Sequence, residues 1–90
     1  MAHVVVLRVN LVGDREEGMK GLDEMVIPHV KSLAGYQRGM WLHTADAKLG
    51  TAVITFDTEA NANAAVDAVK PPPGGPTVID CTVFEIAREA

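Results

Sequence analysis

The chain has 90 residues, of which 48% are hydrophobic, and eight Lys and Arg face twelve Asp and Glu for a formal charge of −4. This length predicts a single domain over residues 1–90, and the ordinary apolar fraction excludes a low-complexity chain. The basic residues are scattered singly. Nucleic acids and anionic membranes require a concentrated positive patch, so neither is expected as a partner.

The cysteine content and the early apolar run predict a cytoplasmic protein. Cys81 is the only cysteine, so no disulfide can form within the chain. The run from Val4 to Leu7 is interrupted by Arg8 and is too short for a signal-peptide core or a membrane span.

The first half of the chain predicts a strand followed by a helix. His3 to Val12 is rich in Val and Leu and ends at a Gly-Asp turn. Residues 15–34 predict a helix with Asp14 as its N-cap, and Pro28 should kink or split it near Ile27. A one-sided apolar stripe, with Met25 beside it, is expected to pack into the core: Met19, Leu22, Val26, Val30 and Leu33.

The second half predicts two strands, a second helix and a last strand. The strands cover Tyr36 to Thr44 and Leu49 to Phe56, and the helix begins at Asp57 or Thr58 and reaches about Val69. A proline-rich run, residues 70–76, ends the helix, and the last strand covers 78–87. This βαββαβ order predicts an α+β, ferredoxin-like fold in which two helices cover one face of a four-stranded antiparallel sheet.

Both faces of this predicted sheet are apolar. Val5, Leu7 and Val9 alternate with Val4 and Val6 along the first strand. Two helices about 10 Å wide cover one face of a sheet roughly 19 Å wide and leave the other face bare. We therefore expect a second copy to cover the bare face, which predicts a homodimer closed into an α+β barrel.

The second strand is predicted to place large side chains on both faces of the sheet. Alternation places Trp41 and His43 on one face and Tyr36, Arg38 and Met40 on the other. Trp is enriched in the cores of interfaces, so the residues expected at the dimer interface are Val4, Val6 and Trp41.

Three segments resemble one protein family. Residues 27–36, IPHVKSLAGY, are similar to a "vvPxvxxlpGf" passage, residues 39–43, GMWLH, to "GxWLr", and residues 53–60, VITFDTEA, to "vvxFdteea". With these matches the chain, over about residues 3–87, resembles the antibiotic biosynthesis monooxygenase (ABM)-like domains of the dimeric α+β barrel superfamily.

The resemblance implies a function without a cofactor. It suggests a homodimer that binds a small aromatic or apolar molecule between sheet and helices, with a cofactor-independent monooxygenase of small aromatic or quinol substrates as the alternative. The haem-degrading branch uses a first-strand Asn, an aromatic residue and a second-helix His. Asn10 lies nearer the strand end than that pattern requires, Phe56 replaces the usual Trp, and residues 58–70 contain no His.

Four polar residues are candidates for the ligand pocket: Asn10, His29, Arg38 and His43. For His29 a solvent-facing position is the competing interpretation, and for Arg38 it is an ion pair across the sheet with Glu85. The three histidines lack the spacing of a metal site, so no metal is expected.

Overall fold

The computed structural model describes residues 2–71 and 75–90 and contains four strands and two helical regions. The elements are β1 (His3–Asn10), α1 (Arg15–Gly21), a π-helical turn (Leu22–Val26), α2 (Ile27–Lys31), β2 (Tyr36–His43), β3 (Leu49–Phe56), α3 (Glu59–Ala65) and β4 (Thr77–Glu85). The strands form one antiparallel sheet in the order β2-β3-β1-β4. This α+β architecture is compatible with a ferredoxin-like fold, and it confirms the predicted class and order of elements.

The first helical region is divided at the position that Pro28 predicts. Asp14 caps α1 and accepts a hydrogen bond from the Glu16 N–H at 2.7 Å. The Ile27 N–H donates to the Leu22 carbonyl five residues back, which closes the π-helical turn just before Pro28. Proline lacks an N–H and its ring crowds the preceding turn, so the wider turn accommodates it without ending the helical path.

The second helix and the last strand differ from their predicted limits. Thr58 caps α3 by accepting from the Asn61 N–H at 3.1 Å, and α3 ends at Ala65, four residues earlier than expected. Val69 is nevertheless buried. The proline-rich run predicted to end this helix falls partly on residues 72–74, outside the described residues.

One face of the sheet and the helices enclose the core. The buried residues of the central strands β1 and β3 meet buried residues of α2, α3 and the turn that follows α3, and Ala62 and Ala65 let α3 approach the sheet closely. The strand alternation predicted that these residues share a side within each strand, without assigning that side to the helices, and the buried members are Val5, Leu7, Val9, Ala52, Ile54 and Phe56.

The predicted core positions of Met19 and Met25 are wrong. Their side chains are 44% and 69% exposed, and neither α1 nor the π-helical turn buries a residue. Within the first helical region only Val30 of α2 is fully buried. The helical stripe therefore packs on the sheet mainly at its C-terminal end.

A bulge at the start of β2 also corrects the predicted alternation. Tyr36 lies opposite Phe56 and Arg38 lies opposite Thr55, so Gln37 is an extra residue. The bulge turns Tyr36 toward the helices, where its ring meets that of Phe56 edge to face at 6.5 Å. Simple alternation predicted Tyr36 and Arg38 on the same face of the sheet. Because of the bulge they lie on opposite faces.

Among the described residues, no helix is long and apolar enough to span a bilayer.

A glycine substitution tests the turn that joins the first helical region to β2. Gly35 has φ +79°, and a Cβ there would overlap Asp57 Oδ1 and lie 2.5 Å from Asn61 Nδ2. Gly13 has φ +77° with no neighbour within 4 Å. We expect Gly35→Ala to lower the free energy of unfolding by about 1–3 kcal/mol more than Gly13→Ala, because both share the left-handed backbone but only one is crowded. Equal losses in urea denaturation at one protein concentration would contradict this.

Candidate functional site

The sheet face turned away from the helices, called here the open face, exposes large apolar side chains. Strand register places Val4 and Val6 of β1 on it, opposite Thr55 and Val53 of β3. Five of its side chains are between 45% and 56% exposed: Met40, Leu42, Leu49, Ile79 and Phe84. A patch of this kind is typical of an interaction surface.

An ion pair lies within the open face. Arg8 of β1 is directly opposite Asp80 of β4, and its Nε donates to both carboxylate oxygens at 3.0 Å while Nη2 donates to Oδ2. The hydrogen bonds from Arg8 hold the pKa of Asp80 below its ordinary value. A bulge fixes this register: Val78 is opposite Val9, so Ile79 is the extra residue.

The C-terminal segment crosses one end of the open face. Arg38 donates to Glu89 at 2.5 Å, rather than to Glu85 as one interpretation of the sequence proposed. Because β4 and β2 are the two edges of the sheet, this pair joins the segment that follows β4 to the opposite edge strand. Thr55, opposite Arg38 in the β2–β3 register, is only 4% exposed. The other end of the face is uncovered.

A groove of about 260 Å³ lies at the uncovered end. Its walls combine apolar side chains from three strands with hydroxyl and cationic groups: Arg8, Leu42, His43, Thr44, Leu49, Gly50, Thr51 and Ile79. A second, larger groove of about 520 Å³ runs along the exterior of α1 and the π-helical turn, where five of its six lining residues are charged.

The hydrogen bonds of His43 define its tautomer. Nδ1 lies 2.9 Å from the Thr44 carbonyl, and Nε2 lies 3.3 Å from Arg15 Nη2. A carbonyl only accepts and a guanidinium only donates, so Nδ1 carries the proton and Nε2 accepts. His43 therefore lies at one corner of the groove, beside the start of α1, with a partner for each ring nitrogen.

The four candidate pocket residues do not converge. Asn10 and Arg38 share the open face but lie near opposite ends of it, roughly 20 Å apart along the strands. His29 is exposed on α2, as the competing interpretation held. Of the four, His43 alone lines the groove.

The three candidate interface residues lie on two faces. Val4 and Val6 are half-buried on the open face. Trp41 is opposite Ala52 and packs against the core on the helix side of the edge strand β2. An interface role for each of the three stays a prediction.

Side chains fill the space between helices and sheet. Val5, Val30, Ile54, Phe56 and Ala62 are at most 1% exposed there. Both grooves described above lie outside this space, so the expected ligand position between sheet and helices coincides with neither of them.

Cys81 and the histidines offer no further site within the described residues. Burial raises the pKa of the Cys81 thiol, whose Sγ lies 3.9 Å from the Val66 carbonyl, as suits a small core residue. His3 Nε2 lies 3.5 Å from Glu59 at the start of α3. Throughout residues 2–71 and 75–90, no three His, Cys, Asp or Glu side chains are grouped to hold a metal.

Comparisons of the chain with protein-family models, with curated proteins and with solved structures found no match.

Of the residues that line the groove only His43 was a candidate, and Asp80 and Ile79 are among the residues of this site that the sequence analysis missed. Alternation along the last strand places Asp80 on the face of Phe84, which was a usable signal. The contact between Asp80 and Arg8 depends on the β1–β4 register, which alternation does not give. The bulge that exposes Ile79 cannot be recognised from the alternation of apolar and polar residues.

The lowered pKa of Asp80 gives a prediction for the Arg8→Gln variant. Without the guanidinium, the pKa of Asp80 should rise toward the ordinary value of about 3.9. Asp46 is an internal control: the Thr44 hydroxyl and the Lys48 N–H lower its pKa, and neither changes. Carbon NMR titration of both carboxyl groups checks this, and an unmoved Asp80 would refute the ion pair.

The Arg8–Asp80 pair should also stabilise the folded protein in a pH-dependent way. Because the folded pKa of Asp80 is lowered, its contribution is full above about pH 3.9 and is lost as the pH falls through the folded value. In Asp80→Asn, the free energy of unfolding should no longer fall through the titration of residue 80 as the pH is lowered.

Proposed function

We propose that the protein is a homodimer in which two copies pack their open faces together, as a binding module of the ABM-like kind. The observation that carries the proposal is the group of five large apolar side chains left exposed on this face. Exposing such groups forfeits on the order of 1.5–3 kcal/mol for each side chain that could be fully buried.

The size of the face admits a second copy as its cover. Four strands of eight or nine residues present roughly 500 Å², including the end at the C-terminal crossing, so two copies bury at most about 1,000 Å², the size of a weak interface. The composition supports it too. Apart from the Arg8–Asp80 pair and the Asn10 amide, the part of the face away from the C-terminal crossing presents apolar and hydroxyl side chains, which suit an interface core.

We propose further that the module binds a small aromatic or apolar molecule in the groove at the uncovered end. Leu42, Leu49 and Ile79 supply apolar walls there, and the Thr51 and Thr44 hydroxyls supply hydrogen bonds. A copy packed on the open face would close the groove from above and exclude water from it. The resemblance to ABM-like domains, which include oxygenases of aromatic quinols, favours this ligand class.

The monooxygenase alternative has less support. Proton abstraction from a substrate needs polar groups converging on the reacting atoms, and Asn10, His29 and Arg38 are dispersed. Of the four candidates, only His43 lies at the groove, and Arg15 Nη2 lies 3.3 Å from its Nε2. A non-catalytic binding role is therefore the function that the geometry supports best.

Matched variants test the dimer. Phe84 lies on the open face and Met25 lies on the first helical region, and both are exposed. We expect the unsubstituted protein and Met25→Asp to sediment as dimers at micromolar concentration and Phe84→Asp to sediment as a monomer, because a charge at the interface core costs several kcal/mol. A monomeric unsubstituted protein, or a Phe84→Asp variant that dimerises normally, would overturn the proposal.

A quinol probe tests the ligand site. Titration with a two-ring aromatic quinol should shift the amide NMR signals of Leu42, Leu49 and Ile79 by more than those of Val30 and Phe56. Ile79→Arg should weaken binding at least about tenfold, since it fills the groove and buries a charge, while Val12→Arg, at an exposed position outside the groove, should leave binding unchanged. Shifts confined to Val30 and Phe56 would instead place the ligand between helices and sheet.

A further inference from the structure

The Arg8–Asp80 pair is the charged feature of the part of the open face that the C-terminal segment leaves uncovered. The two side chains are 54% and 42% exposed, and they lie on adjacent strands, β1 and β4. The other ion pair on this face, Arg38–Glu89, belongs to the crossing at the opposite end. A partner packed on the uncovered part must therefore accommodate one guanidinium and one carboxylate.

An apolar cover would leave this pair poorly satisfied. Arg8 uses Nε and Nη2 to bind Asp80, and its Nη1 retains N–H groups that can donate to a further acceptor. Each carboxylate oxygen of Asp80 likewise retains capacity for a further donor. Burying charged groups without these additional bonds is unfavourable, because the lost hydration is not replaced.

A second copy of the same pair supplies both missing partners. A two-fold axis makes each contact reciprocal, so a residue that meets a given partner residue is met by the same residue in return. When the axis lies in the interface, parallel to the strands and midway between Arg8 and Asp80, the positive group of one copy faces the negative group of the other, twice. The pair is therefore complementary in charge to itself.

We infer that, in the homodimer proposed above and resting on that proposal, the two-fold axis runs parallel to the strands between Arg8 and Asp80, so that Arg8 of each copy binds Asp80 of the other. The four groups form a closed quartet within the interface. The bulge at Ile79 has a role in this arrangement, because it holds Asp80 opposite Arg8 in the β1–β4 register. The quartet fixes which orientation of two apolar faces is the stable one.

Charge reversal tests the quartet. Arg8→Asp gives a copy with two acidic groups at this position, and Asp80→Arg gives a copy with two basic groups. Each variant alone should dimerise at least about tenfold more weakly than the unsubstituted protein, because like charges would meet across the axis. An equimolar mixture should form mainly the heterodimer, since two acidic groups then face two basic ones.

Native mass spectrometry of the mixture distinguishes the outcomes. Dominant heterodimer supports the quartet. Homodimers of either variant as strong as those of the unsubstituted protein, or a statistical mixture of the three dimers, would overturn the quartet while leaving the homodimer intact. Failure of the homodimer itself would appear separately, as an unsubstituted protein that is monomeric.

A variant without the two charges tests the quartet even if Arg8→Asp and Asp80→Arg do not fold. The double variant Arg8→Gln with Asp80→Asn keeps side-chain size and hydrogen bonding. The dimer affinity of the unsubstituted protein should fall at least about threefold between roughly 0.05 and 0.5 M salt, because screening weakens the quartet. The double variant should lose that salt dependence, and an unchanged dependence would refute the quartet.

Discussion

The structure depends on a mismatch between one sheet and the two helical regions available to cover it. The strands are apolar on both faces, but the helices pack on one face alone, against Val5, Ile54 and Phe56. The C-terminal segment covers one end of the other face through the Arg38–Glu89 pair. What remains bare is apolar apart from Asn10 and the Arg8–Asp80 pair, so this is the surface open to a second copy and to a ligand.

Much of the fold could be predicted from residue pattern. Alternation along β1 and β3 identified the two faces, and turn residues separated the elements in the correct order. The failures have local causes. The extra residue Gln37 reversed the face of Tyr36, and the same kind of insertion at Ile79 shifted the register of β4. Periodicity assigns faces only while the ladder is regular, and a bulge breaks it without a characteristic residue.

The candidate site was less predictable than the fold. Asn10 and Arg38 were correctly seen as polar residues on apolar strands, but their separation depends on where each lies along its strand. The contact between His43 and Arg15 joins residues 28 positions apart, through the packing of the β2–β3 turn against the start of α1. Pairwise contacts of this kind follow from three-dimensional packing, which local pattern does not encode.

The divided first helix gives its two ends unequal stability. Residues 27–31 are anchored by Val30 in the core, whereas no side chain of residues 15–26 is fully buried. That segment contacts the core through the partly buried Val26, and otherwise depends on backbone hydrogen bonds, the Asp14 cap and the Arg15–His43 contact. Sub-global opening of a protein begins where few apolar contacts resist it. The first three turns can therefore unfold and re-form as a unit while the sheet stays folded. Local unfolding of the molecule is expected to begin in this helix.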